Sequence, residues 1–151
     1  MSNARKKMPV KRGTGVNLAW ERKPAPSRGP KPTQSAEELA RVAIQVADAE
    51  GLEAVTMQRV AQEAGVATMG LYRYFPSKAD LLSLMIDSVS ESTPRFGKSS
   101  LPWNVRLKEW ARRCSSIYRD HPWFLEATTV RESFMGPNEL FWMEEIGRAH
   151  V

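Results

Sequence analysis

The stretch Thr56 to Lys78, TMQRVAQEAGVATMGLYRYFPSK, constrains this chain more than any other. Thr56 can cap a helix, because its hydroxyl accepts one of the orphan backbone N–H groups of a first turn. Val60, Ala61 and Ala64 then form a buried face, and the small Ala61 lets a neighbouring helix approach closely. Gly65 permits the positive φ of a sharp turn, with Val66 as an apolar plug behind it. A second helix is predicted over Ala67 to Tyr74, with Leu71 and Phe75 four residues apart and facing inward. Pro76 ends it. Two short helices with a small residue in the first and glycine in the turn define a helix-turn-helix. Thr68, Met69, Gly70, Tyr72, Arg73 and Tyr74 are left to point away from the core.

The flanking segments read as helices too. Ser35 can cap a helix of about four turns, with Glu37 and Glu38 in the first turn where the helix dipole favours acids. Its apolar face is Leu39, Val42, Ala43 and Val46, and Gly51 supplies a left-handed stop. After Pro76, Ser77 and Asp80 form a capping-box-like pair. Leu81, Leu82, Met85, Ile86 and Val89 give the next helix its apolar face to about Ser90. Residues 91–101, with Pro94 and Gly97, read as a connection between two modules. Pro102 can open a further helix, with Trp103, Leu107, Trp110, Cys114 and Ile117 on one stripe and Arg106, Lys108, Arg112 and Arg113 on the polar side. His121-Pro122 breaks that helix and begins another through about Val130. Gly136-Pro137-Asn138 is a second break, and Leu140 to Met143 begins one more helix. No period-2 pattern appears. The expected fold is all-α, a three-helix helix-turn-helix domain over 35–90 followed by the beginning of a helical ligand-binding and dimerisation domain over 91–151.

Charge is distributed unevenly. Residues 1–34 hold nine Lys or Arg against one acid, Glu21, so this segment carries +8 of a chain total of +5, and the rest carries −3. The same segment has five prolines and three glycines, too little apolar surface to offset its ordering entropy. It reads as a largely disordered basic arm. Such arms attract nucleic-acid phosphates, or simply keep a protein in solution. The short apolar cluster Val16 to Trp20 within it reads as a local association or a docking point. Residues 35–90, by contrast, carry four basic and eight acidic residues.

Several function classes drop out. A single cysteine, Cys114, permits no disulfide within the chain and hints at no cysteine-based metal site. No apolar run approaches the roughly 18 residues that span a bilayer, and the basic N-terminus lacks the apolar core of a secretory signal. With two histidines, no glycine-rich phosphate loop and no nucleophile–base pairing, there is no catalytic constellation. No enzyme, cofactor, metal or membrane association is expected.

At Thr56 to Lys78 the chain resembles the DNA-binding domain of the TetR family of bacterial transcriptional regulators. Thr56, Val60, Ala61, Ala64-Gly65-Val66, Leu71-Tyr72, Tyr74-Phe75, Ser77-Lys78 and Leu81-Leu82 carry the match, with Ala43 and Ala49-Glu50-Gly51 fitting the family's first helix. The likeness is specific over about 35–90. HPWFLE and GPNEL resemble the start of a ligand-binding domain in one subgroup. The resemblance implies a cytoplasmic regulator, commonly a repressor, that binds double-stranded DNA at a palindromic operator as a homodimer and responds to a small-molecule effector. It puts DNA contacts at Thr56, Gln58, Thr68, Met69, Gly70, Tyr72, Arg73, Tyr74 and Lys78, with Lys78 on phosphate. Tyrosine hydroxyls and a helix-terminal lysine suit phosphate positioning, and an arginine can grip guanine edges. It also implies that the helix over 77–90 couples the two modules. Trp103, Trp110, Trp123 and Phe124, with Trp142, are candidates to line an effector pocket; aromatics at such spacing equally build a core. A helical binding or interaction module without DNA function is the alternative. Glu145 to Val151, EIGRAHV, reads as the translation of a common sequencing adapter; the native sequence is expected to end near Glu144, short of the family's dimerisation helices.

Overall fold

The computed structural model describes residues 20, 34–92, 95–96, 101–130 and 135–150. The basic arm predicted over 1–34 lies outside these residues except for Trp20 and Gln34, as does much of the connection predicted over 91–101. The described residues form α1 (Ala36–Glu50), a 3₁₀ turn (Leu52–Ala54), α2 (Met57–Glu63), α3 (Thr68–Tyr72), α4 (Lys78–Ser90), α5 (Trp103–Asp120), α6 (Trp123–Val130) and α7 (Pro137–His150), with no strand among them. The all-α expectation therefore holds over these residues.

Local chemistry sets the helix ends. The Ser35 hydroxyl accepts from Glu38 N at 3.1 Å and the Glu38 carboxylate accepts from Ser35 N at 2.6 Å, a reciprocal capping box that satisfies two orphan donors of α1. Gly51 closes α1 at φ +87° and ψ 170°. The positive φ was expected, but the extended ψ is not the left-handed helical stop read from the sequence. The chain turns straight into the 3₁₀ segment instead. Ser77 and Asp80 form the second capping box, at the start of α4.

Helix α4 occupies the centre. Ten of its thirteen residues are buried, against the single apolar face expected. It packs on α1 on one side and on α7 and α6 on the other. Leu81, Met85 and Ile86 are completely enclosed, each worth on the order of 2 kcal/mol of apolar burial. Its buried polar residues are satisfied at short range. Ser83 donates to Ala79 O and Ser90 to Ile86 O, both at 2.8 Å, so small hydroxyls serve as close-packing surface with no orphaned group.

Asp87 joins α4 to the second module. Its carboxylate accepts from the backbone N–H of Asn138 at 2.8 Å, from that of Glu139 at 3.2 Å, and from Asn138 Nδ2 at 3.1 Å. It thus caps α7 from another helix. This explains a correction to the sequence reading: Gly136-Pro137-Asn138 does not precede α7 as a break but starts it, with Pro137 at its first position. Gly136 lies so close to Asp87 that a methyl group there would overlap the carboxylate.

The second module is α5, α6 and α7, packed around an aromatic core. Phe124 sits 5.9 Å from Trp142, 6.1 Å from Trp123 and 5.8 Å from Tyr118 between ring centroids, and Trp142 sits 6.0 Å from Trp110. The stripe predicted along α5 is buried only in its second half, at Cys114 and Ile117. Trp103 and Leu107 are exposed. Trp20, from the apolar cluster of the arm, donates its indole N–H to Met135 O at 3.3 Å.

Two predictions come from the Asp87 joint. Gly136→Ala should lower unfolding free energy by about 1–3 kcal/mol through overpacking, read as a shifted urea midpoint at unchanged slope; an unmoved midpoint would show the contact to be dispensable. Burial pushes the Asp87 carboxyl above its ordinary range, against the amide donors that pull it down. The folded chain therefore keeps that proton to higher pH than the unfolded one. The site's contribution is complete below about pH 4 and diminishes as pH rises through the raised value. The stability difference between wild type and Asp87→Asn should fall across that window and level off above it, whereas a pH-independent difference would contradict the assignment.

Candidate nucleic-acid interface

The turn between α2 and α3 is set by a few residues. Thr56 caps α2, its hydroxyl oxygen accepting from Arg59 N at 3.0 Å. The hydroxyl hydrogen stays available for an outside acceptor. Gln58, one residue inside α2, is exposed. Gly65 turns the chain at φ +68°, a conformation that costs residues with a Cβ about 1 kcal/mol or more. Val66 N then donates to Ala61 O at 3.0 Å and locks the turn against α2.

Helix α3 is short and held by two residues. Leu71 and Phe75 are fully buried, as the sequence spacing predicted. The helix itself ends at Tyr72, two residues before the predicted end. Tyr74 N and Phe75 N both donate to Leu71 O at 3.0 Å, a last loose turn before Pro76. The residue before a proline is driven out of helical geometry, so no further turn follows Phe75.

The predicted contact residues fall into two groups. Met69, Tyr72 and Arg73 are exposed, Met69 to 76%, and Lys78 is exposed at the first position of α4. Thr68 and Gly70 lie half-buried between them, and a Cβ on Gly70 would meet nothing within 4 Å. Thr56 and Gln58 stand at the start of the adjoining helix α2. Tyr74 differs. It is half-buried, and its hydroxyl donates to Gln34 O at 3.0 Å, while Gln34 Nε2 donates to Ala64 O at 3.0 Å. Tyr74 thus braces the end of α3 against the entry to α1. No local pattern signals this contact, because the partner is a backbone carbonyl forty residues away.

The charges divide in the same manner. Arg59 is bound to Glu50 at 2.6 Å and Glu63 at 2.7 Å. The hydrogen bond to Glu50, then that to Glu63, raises its pKa further above the ordinary arginine value. This arginine ties α1 to α2 and is committed within the protein. Arg73 and Lys78 are the exposed cations nearest the open surface of α3.

Of the aromatic residues considered for an effector pocket, Trp110, Trp123, Phe124 and Trp142 share the aromatic core and Trp103 stands apart. Trp103 is on the surface, Trp110 is half-buried with its indole N–H donating to Trp142 O at 3.3 Å, and Trp123 and Phe124 are buried. Trp123 also borders an open cleft of about 350 Å³ between α1 and α6, with Ala47, Asp48, Leu52, Pro122 and Glu126 on its walls. Burial raises the pKa of the Cys114 thiol, despite the Trp142 indole beside it, and keeps the sulfur neutral. No group of His, Cys, Asp or Glu among the described residues could hold a metal ion, and no described helix is long and apolar enough to cross a membrane.

Known proteins share this arrangement. Residues 39–85 match the pattern of the bacterial regulatory proteins of the tetR family. The chain is 42% identical over 134 residues to the HTH-type transcriptional repressor DrrR1 of Streptomyces coeruleorubidus, covering 87% of this chain and 48% of that protein. It is 26% identical over 127 residues to an HTH-type transcriptional regulator of Saccharopolyspora erythraea, covering 80% of this chain and 50% of that protein. The chain thus spans about half the length of these curated relatives. Among solved structures, apo ActR of Streptomyces coelicolor superposes with a TM-score of 0.68 at 25% identity, over 80% of this chain and 57% of that one. ActR bound to actinorhodin gives 0.69 at 25% identity, over 78% and 55%. BioQ with its double-stranded DNA operator shares the fold, with a TM-score of 0.64 at 23% identity over 78% and 69%. Sequence pattern, fold and the exposed α3 surface converge: the chain belongs to the TetR family of bacterial regulatory proteins.

Proposed function

We propose that the protein is a DNA-binding transcriptional regulator, a ligand-responsive repressor, that reads its operator with α2 and α3. The observation that carries this is the open surface of α3. Met69, Tyr72 and Arg73 face solvent around the side-chain-free Gly70, beside Lys78, on a helix anchored from behind by Leu71 and Phe75. The second helix of a helix-turn-helix uses such a face to enter the major groove. In this reading Thr56, Thr68 and Tyr72 contact the DNA backbone, Gln58 and Arg73 reach base edges, and Lys78 takes a phosphate. Tyr74 acts as a brace. The arm over 1–34 adds phosphate contacts that the net-acidic module over 35–90 lacks.

The partners follow by similarity. The repressor function comes from the likeness to DrrR1, and effector response from the likeness to ActR, whose structures include a complex with actinorhodin. Operator reading as a homodimer on a palindrome would place two α3 helices about one DNA turn apart. Effector occupancy of the helical domain would shift the population between two placements of the reading heads, with α4 as the shared element. No catalytic role is proposed.

Fluorescence anisotropy on DNA from upstream of the protein's own gene, with footprinting to find the site, tests this reading. Arg73→Ala should cost about 1–3 kcal/mol of affinity and relax preference at one base pair. Lys78→Ala should weaken binding evenly and lower the salt slope by about one, and removal of residues 1–33 should lower it further. Unchanged affinities in all three would contradict the assigned surface. Gly70→Ala separates fold from function. Replacing a helical glycine should raise folding stability by about 0.5–1 kcal/mol, while the added methyl weakens DNA binding; a variant that binds as tightly as wild type would show that Gly70 is not at the groove.

A further inference from the structure

The two modules meet at a second place besides α4. Asp48 lies on α1, two residues before its end. A single oxygen of its carboxylate, Oδ1, accepts from Trp123 Nε1 at 2.6 Å and stands 2.8 Å from His121 Nδ1. Both partners sit at the corner between α5 and α6, 73 and 75 residues away. Trp123 is buried and belongs to the aromatic core of the second module through its edge-on contact with Phe124 at 6.1 Å. His121 stacks edge-on against Trp123 at 5.9 Å, which fixes both donors.

Helix α1 is in turn bonded to the reading head at both ends. Near its C-terminus, Glu50 holds Arg59 of α2. Just before its N-terminus, Gln34 accepts from the Tyr74 hydroxyl and donates to Ala64 O. A displacement at the α5–α6 corner therefore reaches α1 through Asp48, and from α1 it reaches α2 at one end and the last turn of α3 at the other. No step in this route passes through α4.

We propose that Asp48 is a positioning residue for DNA binding, a non-covalent latch that ties the placement of α3 to the arrangement of the aromatic core in the second module. The inference rests on the DNA-binding reading above. Asp48 is partly open to solvent, at 32% side-chain exposure, but hydrogen bonds to a carboxylate are short and directional, so the latch has two discrete states, engaged and released, as a coupling element requires. Engaged, it holds α1 and the reading head in one placement. Released, it leaves α4 and the packing of the 3₁₀ turn on α6 to link the modules among the described residues.

The test uses the full chain labelled with 5-fluorotryptophan and the footprinted DNA. Trp123→Phe assigns the Trp123 ¹⁹F resonance. Saturating DNA should shift that resonance in wild type, and the shift should be lost in Asp48→Ala and reduced in Asp48→Asn, which keeps one acceptor. DNA affinity should fall about 2- to 30-fold in Asp48→Ala and less in Asp48→Asn. Ile117→Val, a conservative change in the core of the second module, should leave DNA affinity unchanged, which separates positioning from loss of stability. A Trp123 resonance that DNA does not move in wild type, or that moves equally in Asp48→Ala, overturns the latch while leaving the DNA-binding reading intact. An Asp48→Ala chain that binds DNA as tightly as wild type does the same. Absence of any DNA binding by wild type overturns both.

Discussion

The burial of α4 on nearly all sides is the constraint from which the rest of this structure follows. A thirteen-residue helix with ten buried positions cannot belong to one module alone. It supplies the floor on which α1 packs and the wall against which α6 and α7 close. Its polar residues are placed accordingly. Serines bond back to their own helix, Asp80 is spent on the cap, and Asp87 is spent on the start of α7. Each of these satisfies a buried group that would otherwise cost about 1–3 kcal/mol. A helix so enclosed cannot shift without both modules responding, which is the physical basis for treating it as the shared element of a two-state regulator.

The reading head is built on the opposite plan. Its fixed parts are few: the Thr56 cap, the Gly65 turn, the Leu71 and Phe75 anchors and the Tyr74 brace. Gln58, Met69, Tyr72 and Arg73, between them, face outward. With five helical residues, α3 has too little internal hydrogen bonding to stand alone, so its geometry is inherited from α2 and α1. Arg59 illustrates how charge is divided. Its pair with Glu50 binds α1 to α2, its pair with Glu63 lies within α2, and together they remove one cation from a module that is already net acidic. The DNA-facing charge is thereby concentrated on Arg73, Lys78 and, in the proposed reading, the arm.

Much of this was legible in the sequence because the signals are local. Caps at Ser35, Thr56 and Ser77, the glycine turn at Gly65, and the Leu71–Phe75 spacing act over a few residues, and each is found as read. The errors arise where partners are distant. The start of α7 depends on Asp87, fifty-one residues earlier, so Gly136-Pro137 read as a break. The α5 stripe read as one face, and only its second half is buried. At Tyr74, nothing local marks the Gln34 carbonyl as the acceptor of its hydroxyl. His121 does end α5, as read, but nothing local marks Asp48 as its partner.

In the proposed reading α2 and α3 form the surface that meets DNA, carried by the α1–α4 framework and distinct from the second module. Hydrogen–deuterium exchange of the full chain with and without the footprinted DNA addresses it most directly. Backbone amides in 56–58 and 66–78 should gain protection on DNA addition, with the outer face of α5 unchanged. Protection confined to α5–α7, or none in the helix-turn-helix at saturating DNA, would contradict the account.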